Sequence, residues 1–194
     1  MILETKRTTG AVCLLAALLF GNAASAGEFK AAPNASYVVD LDTPDGNFSL
    51  WQADDLTGLN ALRTNVTFAR LGKDKTYAPH FAVALENDKG RVVLGASVLK
   101  GKVMIVTLTT WQGDKQTAQE MFMLPPEPSE TFALDLDWTP DGVVTAVIHS
   151  QATKDMNGFE RHQARLDGAP ARLEITGSTA EVEFKPLKLG STTP

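Results

Sequence analysis

The run Thr131-Phe132-Ala133-Leu134-Asp135-Leu136-Asp137-Trp138-Thr139-Pro140-Asp141-Gly142-Val143-Val144 decides how this chain is read. Phe132, Leu134, Leu136 and Trp138 occupy alternate positions, with Ala133, Asp135 and Asp137 between them. A period of two puts the apolar set on one face of a strand and the carboxylates on the other. Thr139-Pro140-Asp141-Gly142 then supplies turn chemistry. Proline presets φ, aspartate bonds to nearby backbone and glycine accepts a positive φ. Apolar residues resume at Val143, so 131–150 is predicted to be a β-hairpin.

The same device occurs upstream. Asp40-Leu41-Asp42-Thr43-Pro44-Asp45-Gly46 repeats the acidic strand end and the turn, with Tyr37 and Val39 before it and Phe48 and Leu50 after it. The flanks do not match, so two hairpins sharing one turn solution are expected rather than a duplication. Period-two runs at 62–70, 80–86, 91–99, 102–111, 117–124, 158–166, 171–176 and 180–185 predict further strands. Asn87-Asp88-Lys89-Gly90 and Leu99-Lys100-Gly101-Lys102 read as tight turns. The one helical candidate, 53–62, is short and reads equally as an irregular crossover. Pro125-Pro126-Glu127-Pro128 reads as a loop inside one domain, and 190–194 as a frayed, flexible tail. About a dozen short strands with little helix define an all-β fold, a sandwich or a barrel. An outer-membrane barrel would need an apolar lipid face with aromatic girdles. Aromatic content is 7%, and Asp135, Asp137, Glu160, Glu181 and Glu183 fall on outward positions.

The N-terminus reads as an address. Lys6 and Arg7 precede the apolar run Ala11–Phe20, and Ala24-Ser25-Ala26 supplies the small residues of a cleavage site. The expectation is a secretory signal peptide over 1–26, a single β-sandwich domain over 27–194, and export to a periplasmic or extracellular compartment. The run is too short for a membrane span, so none is expected after cleavage. The chain of 194 residues carries 18 basic and 23 acidic side chains, a net charge of −5. That balance lacks the electrostatic footprint for nucleic acid. Its single cysteine, Cys13, lies in the leader, so the exported chain has no disulfide and no thiol chemistry.

Three segments together resemble a known superfamily. Residues 72–85 (GKDKTYAPHFAVAL) are similar to an early strand pair of laminin-G-like lectin domains. Residues 132–142 (FALDLDWTPDG) resemble a strand and turn those domains share with laminarinase-type glucanases. Residues 180–190 (AEVEFKPLKLG) resemble their closing strand. The resemblance is to the concanavalin A-like lectin and glucanase superfamily. It implies a jelly-roll sandwich of two curved antiparallel sheets, with a glycan as the default ligand. The glucanase branch carries a catalytic strand of the form Glu-x-Asp-x-Glu or Glu-x-Asp-x-x-Glu, and no such segment occurs here.

Candidate site residues fall into three groups. Trp138 shares the core register of its strand. Trp51 is out of phase with Phe48 and Leu50, and Trp111 shares a face with Thr107 and Thr109. Both are therefore expected to point outward, where an indole ring suits the apolar face of a sugar. Carboxylates pair at i, i+2 in Asp40/Asp42, Asp135/Asp137 and Glu181/Glu183, about 6.6–7 Å apart on one strand face. Inverting glycosidases separate their carboxyls by about 6.5–9.5 Å, so Glu181 and Glu183 are the weak catalytic candidates. Asp40, Asp42 and Asp45 have part of an oxygen-ligand spacing and are weak calcium candidates. Pro44 at position 5 and Trp51 at position 12 depart from an EF-hand, and turn chemistry accounts for the same residues. His80, His149 and His162 show no paired ligand spacing, and no other cofactor motif is present. The leading expectation is a non-catalytic module that binds a glycan or cell-envelope polymer. The alternatives are a divergent glycoside hydrolase and an envelope interaction domain with no small ligand.

Overall fold

The computed structural model describes residues 28–74, 76–99, 103–124, 131–150 and 160–193. These residues form twelve strands and no helix: β1 (Phe29–Asp42), β2 (Phe48–Ala53), β3 (Ala61–Leu71), β4 (His80–Glu86), β5 (Gly90–Leu99), β6 (Val103–Gln112), β7 (Lys115–Leu124), β8 (Thr131–Trp138), β9 (Val143–Ser150), β10 (Glu160–Arg165), β11 (Arg172–Ser178) and β12 (Ala180–Thr192). The first sheet has the order β1-β12-β3-β8-β9-β10 and the second the order β2-β11-β4-β5-β6-β7. Every pairing is antiparallel. The two sheets are layers of a jelly-roll sandwich, as the alternating pattern requires.

Alternation explains the core. Phe132, Leu134, Leu136 and Trp138 of β8 are all buried, as are Phe81, Val83 and Leu85 of β4. Phe81 is the hub, with ring centroids 5.6 Å from Phe68, 5.8 Å from Phe132 and 5.4 Å from Phe184. Those contacts tie β4 of the second sheet to β3, β8 and β12 of the first, so the aromatic cluster holds the layers together.

The two turns of similar sequence do different work. Thr139–Gly142 closes the predicted hairpin: Thr139 N donates to Val143 O at 3.0 Å and Gly142 N to Thr139 O at 2.9 Å. Gly142 has φ +88°, and a Cβ there would lie 2.1 Å from Leu166 O, so only glycine fits. Thr43–Gly46 forms no hairpin, contrary to expectation. It carries the chain from β1 at one edge of the first sheet to β2 at the edge of the second. Its backbone bonds go to the β11–β12 corner instead. Thr43 N donates to Ala180 O at 2.9 Å, and Gly46 N donates to Thr179 Oγ1 at 3.2 Å. One local solution thus serves two topologies, and the partner strand decides which.

One open alternative is settled and one expectation needs correction. Residues 54–60 are an irregular crossover rather than a helix: Leu56 plugs the sandwich end, and Thr57 N donates to Asp55 Oδ1 at 2.8 Å. The end of the chain is ordered into β12 as far as Thr192. Gly190 pairs with Ala31 and Ala61, and Thr192 N donates to Asn60 Oδ1 at 2.6 Å. The expected turn at 99–102 lies mostly outside the described residues.

Candidate functional site

The outer face of the second sheet is built from side chains that the strand pairings place in transverse rows. One row runs Phe48, Ser178, His80, Ser97, Ile105, Met123 across β2, β11, β4, β5, β6 and β7. The next runs Leu50, Thr176, Ala82, Gly95, Thr107, Met121. The third runs Gln52, Glu174, Ala84, Val93, Thr109, Gln119. The fourth runs Arg172, Glu86, Arg91, Trp111, Gln116. A strand alternates its faces, so each of these side chains lies opposite the core.

The second row has large side chains at its ends and small ones in the middle, and the first ends in Phe48 and Met123. Phe48 is 70% exposed, Leu50 56%, Met121 63% and Met123 70%. Between them lie Ala82, Ala84, Gly95 and Ser97. Ala84, Thr109 and Ser178 are nearly buried, although they belong to the outer face and no described strand covers it. This is the profile of a trough with raised rims.

His80 sits in the trough floor, its ring edge 3.9 Å from where a Cβ on Gly95 would stand. Its Nδ1 is buried and has no hydrogen-bond partner among the described residues. Burial holds its pKa below the ordinary value, so the ring is neutral at pH 7. A neutral imidazole both donates and accepts, which suits a hydroxyl. At the polar end, the Arg91 guanidinium lies 5.4 Å over the Trp111 ring. Arg172 pairs with the carboxylate of Glu86. A register shift at Thr110/Trp111 is a bulge, a device that re-aims side chains beside binding sites.

The sequence-predicted residues scatter. Trp111 lies on the outer face with Thr107 and Thr109, as their shared parity requires, and is half-buried. Trp51 does not point outward. The alternation in β2 is real but its phase is reversed: Phe48 and Leu50 are exposed, and Trp51 packs on the core with Tyr37 at 5.3 Å. The physical reason is volume. The indole fills the seam where β1 and β2, the edges of the two sheets, meet.

The carboxylates gather on the opposite side of the molecule, on the outer face of the first sheet. Asp40, Glu181 and Glu183 bring oxygens within 4.8 Å of one another, the group a cation would use. Asp42 is bonded to Arg70 at 2.6 Å, and Glu181 lies 3.8 Å from the same guanidinium. Asp45 accepts from Lys73 N at 3.2 Å and is not part of that group. The structure therefore splits the Asp40, Asp42, Asp45 set and joins Asp40 to the Glu181/Glu183 pair. Asp135 and Asp137 both face Arg63, at 3.5 and 2.7 Å.

Sequence reasoning missed Phe48, Leu50, Met121, Met123 and His80. The methionines carried a signal, because they fall on the parity opposite Phe122, which packs on the core. In 48–53 both parities are apolar, so the pattern could not set the phase.

No protein-family profile and no curated protein sequence matches the chain. Solved structures do. A galectin of Caenorhabditis elegans superposes with TM-score 0.51 at 11% identity, covering 78% of this chain and 96% of the galectin. A prokaryotic β-1,3-1,4-glucanase (lichenase) from a mouse hindgut metagenome gives TM-score 0.53 at 11% identity, covering 80% of each chain. A conserved carbohydrate esterase from the Shiga toxin-encoding bacteriophage phi24B gives 0.51 at 13%, covering 87% of this chain and 89% of the esterase. The fold is thus a concanavalin A-like jelly roll. At these identities the likeness speaks for the fold alone.

Proposed function

We propose that the protein is an exported, non-catalytic module that binds a glycan or cell-envelope polymer on the outer face of the second sheet. The observation that carries the proposal is the trough itself: a floor of Ala82, Ala84, Gly95 and Ser97, hydroxyls from Thr107, Thr109, Thr176 and Ser178, and a neutral imidazole at His80 whose Nδ1 has no partner among the described residues. Polyhydroxyl ligands need donors and acceptors over an otherwise shallow surface, with an aromatic ring to stack on. Trp111 supplies the ring. The likeness to a galectin and a lichenase supports the ligand class by analogy. The leader-like sequence of residues 1–26 supports export.

Glu181 and Glu183 lie across the sandwich from the trough, beside Arg70, so a sugar in the trough would not meet them. The proposal assigns no cofactor to binding. The test is a glycan array followed by titration calorimetry on the best binder. Trp111→Ala and His80→Ala should each weaken binding about tenfold or more, and Glu181→Gln/Glu183→Gln should leave it unchanged. Full affinity in both Trp111→Ala and His80→Ala would remove the site. Reducing-sugar release that is lost in Glu181→Gln/Glu183→Gln would replace the proposal with a hydrolase.

A further inference from the structure

Two loops close one end of the sandwich around a cavity of about 540 Å³. The crossover 54–60 forms one wall, and residues 169–171 with Trp138 and Pro140 form the others. Main-chain bonds tie these walls together. Leu56 N donates to Ala171 O at 3.3 Å, Leu59 N to Leu56 O at 3.0 Å, Ala171 N to Glu86 O at 2.7 Å and Trp138 N to Asn60 O at 2.9 Å. The cavity is therefore formed before a ligand arrives, and binding there orders little chain. Leu59, Trp138, Pro140 and Pro170 give it apolar sides, and the exposed Asp54 and Asp55 give it charge. A second cavity, of about 340 Å³, shares Asp54 and Ala171 with the first and adds Glu86, Asp88 and Arg172. The pair thus carries four carboxylates against one guanidinium, and Arg172 is already bonded to Glu86. Among the described residues no cation forms an ion pair with Asp54, Asp55 or Asp88.

We infer that the two adjoining cavities bind a linear aliphatic polyamine. Its methylenes lie against Leu59, Trp138 and Pro170, and its ammonium groups meet Asp54 and Asp55 in the first cavity and Asp88 in the second. The site is separate from the trough and does not depend on the glycan reading. Charge and shape select this occupant. Three carboxylates without a paired cation repel an anion and favour positive charge. A bound metal ion would need carboxylate oxygens that converge on one point. Among the described residues the carboxylates that converge within 4.8 Å are Asp40, Glu181 and Glu183, on the first sheet and not here. Negative charges set apart, beside an apolar wall, match ammonium groups separated by methylenes. The wall removes those methylenes from water, which a bare inorganic cation does not exploit.

The experiment titrates the isotope-labelled protein with propylamine, putrescine and spermidine at constant ionic strength and follows the backbone amide shifts by NMR. The shifts should saturate and centre on Gly58, Asp88 and Ala171. Affinity should rise by up to about fivefold with each added ammonium group. Asp54→Asn/Asp55→Asn should lower the affinity for every amine. Asp88→Asn should lower it for spermidine and leave propylamine unchanged. An unchanged amide dispersion in each variant shows that the fold is intact. Butanediol and magnesium chloride should give no saturable shift at these amides. Butanediol that binds as well as putrescine would show a cavity indifferent to charge and overturn the inference. Magnesium chloride that matches spermidine at equal charge would reduce the effect to diffuse screening and overturn it too. Full spermidine affinity in Asp54→Asn/Asp55→Asn would place the cation elsewhere, with the same consequence. So would the absence of any saturable shift with spermidine.

Discussion

Arg63 on the outer face of the first sheet reaches Asp135 and Asp137 and also donates to Leu62 O and Leu136 O at 2.9 and 3.0 Å. Arg70 repeats the motif with Asp42 and Glu181. On the second sheet, Phe48, Leu50, Met121 and Met123 stand in solvent around a floor of alanine, glycine and serine. Both faces belong to six-stranded antiparallel sheets over one core. On the first, each charge among these residues is answered by an opposite charge on another strand of the sheet, so the side chains are engaged in holding it. On the second, Leu50, Met121 and Met123 stand exposed, and the Nδ1 of His80 has no hydrogen-bond partner among the described residues. Groups left unsatisfied by folding are the ones available to a ligand.

The core beneath both faces sets the largest expected effect. Phe81→Ala empties the hub of the aromatic cluster and should cost about 3–5 kcal/mol, read as a fall in the urea midpoint. A loss of under about 1 kcal/mol would mean the layers are held elsewhere. Arg63→Ala should cost about 1–3 kcal/mol, because the half-buried Asp135 and Asp137 and two strand carbonyls lose a donor. If Arg63→Ala proves neutral, the first face is no more structural than the second. A smaller effect concerns His80. Its folded pKa lies below the ordinary value of 6.5, so the unfolded chain binds the proton first as pH falls. Stability should therefore decline from pH 7 toward pH 5, and the decline should be shallower in His80→Gln. Equal slopes in the two proteins would show that His80 is not the source. Smallest of all, Met121→Gln/Met123→Gln should shift stability by no more than about 0.5 kcal/mol in thermal melts. A larger loss would show that the rim supports the fold instead of serving a ligand.

Much of the architecture was legible in the chain. Alternation in 131–138 and 80–86 marks those two strands to the residue, and Thr139–Gly142 marks its hairpin. The near-copy at Thr43–Gly46 was legible as a turn but not as a change of sheet. Its hydrogen bonds go to Thr179 and Ala180, more than a hundred residues away. The candidate site was legible only in part. Trp111 could be placed on an outer face from its parity with Thr107 and Thr109. Trp51 could not, because Phe48, Leu50, Trp51 and Ala53 offer an apolar residue on both parities. Only the seam between β1 and β2, filled by Tyr37 and Trp51, fixes the phase.

The sequence by itself determined the period of the strands, the chemistry of the turns and the all-β class, because each depends on neighbours within a few residues. Tertiary structure decided which strands share a sheet, which face of β2 is buried, and that Asp40 meets Glu181 and Glu183 rather than Asp45. It also assembled the trough, whose first three rows draw one residue from each of six strands between Phe48 and Ser178. Those pairings are non-local, and their register follows from packing a whole core at once.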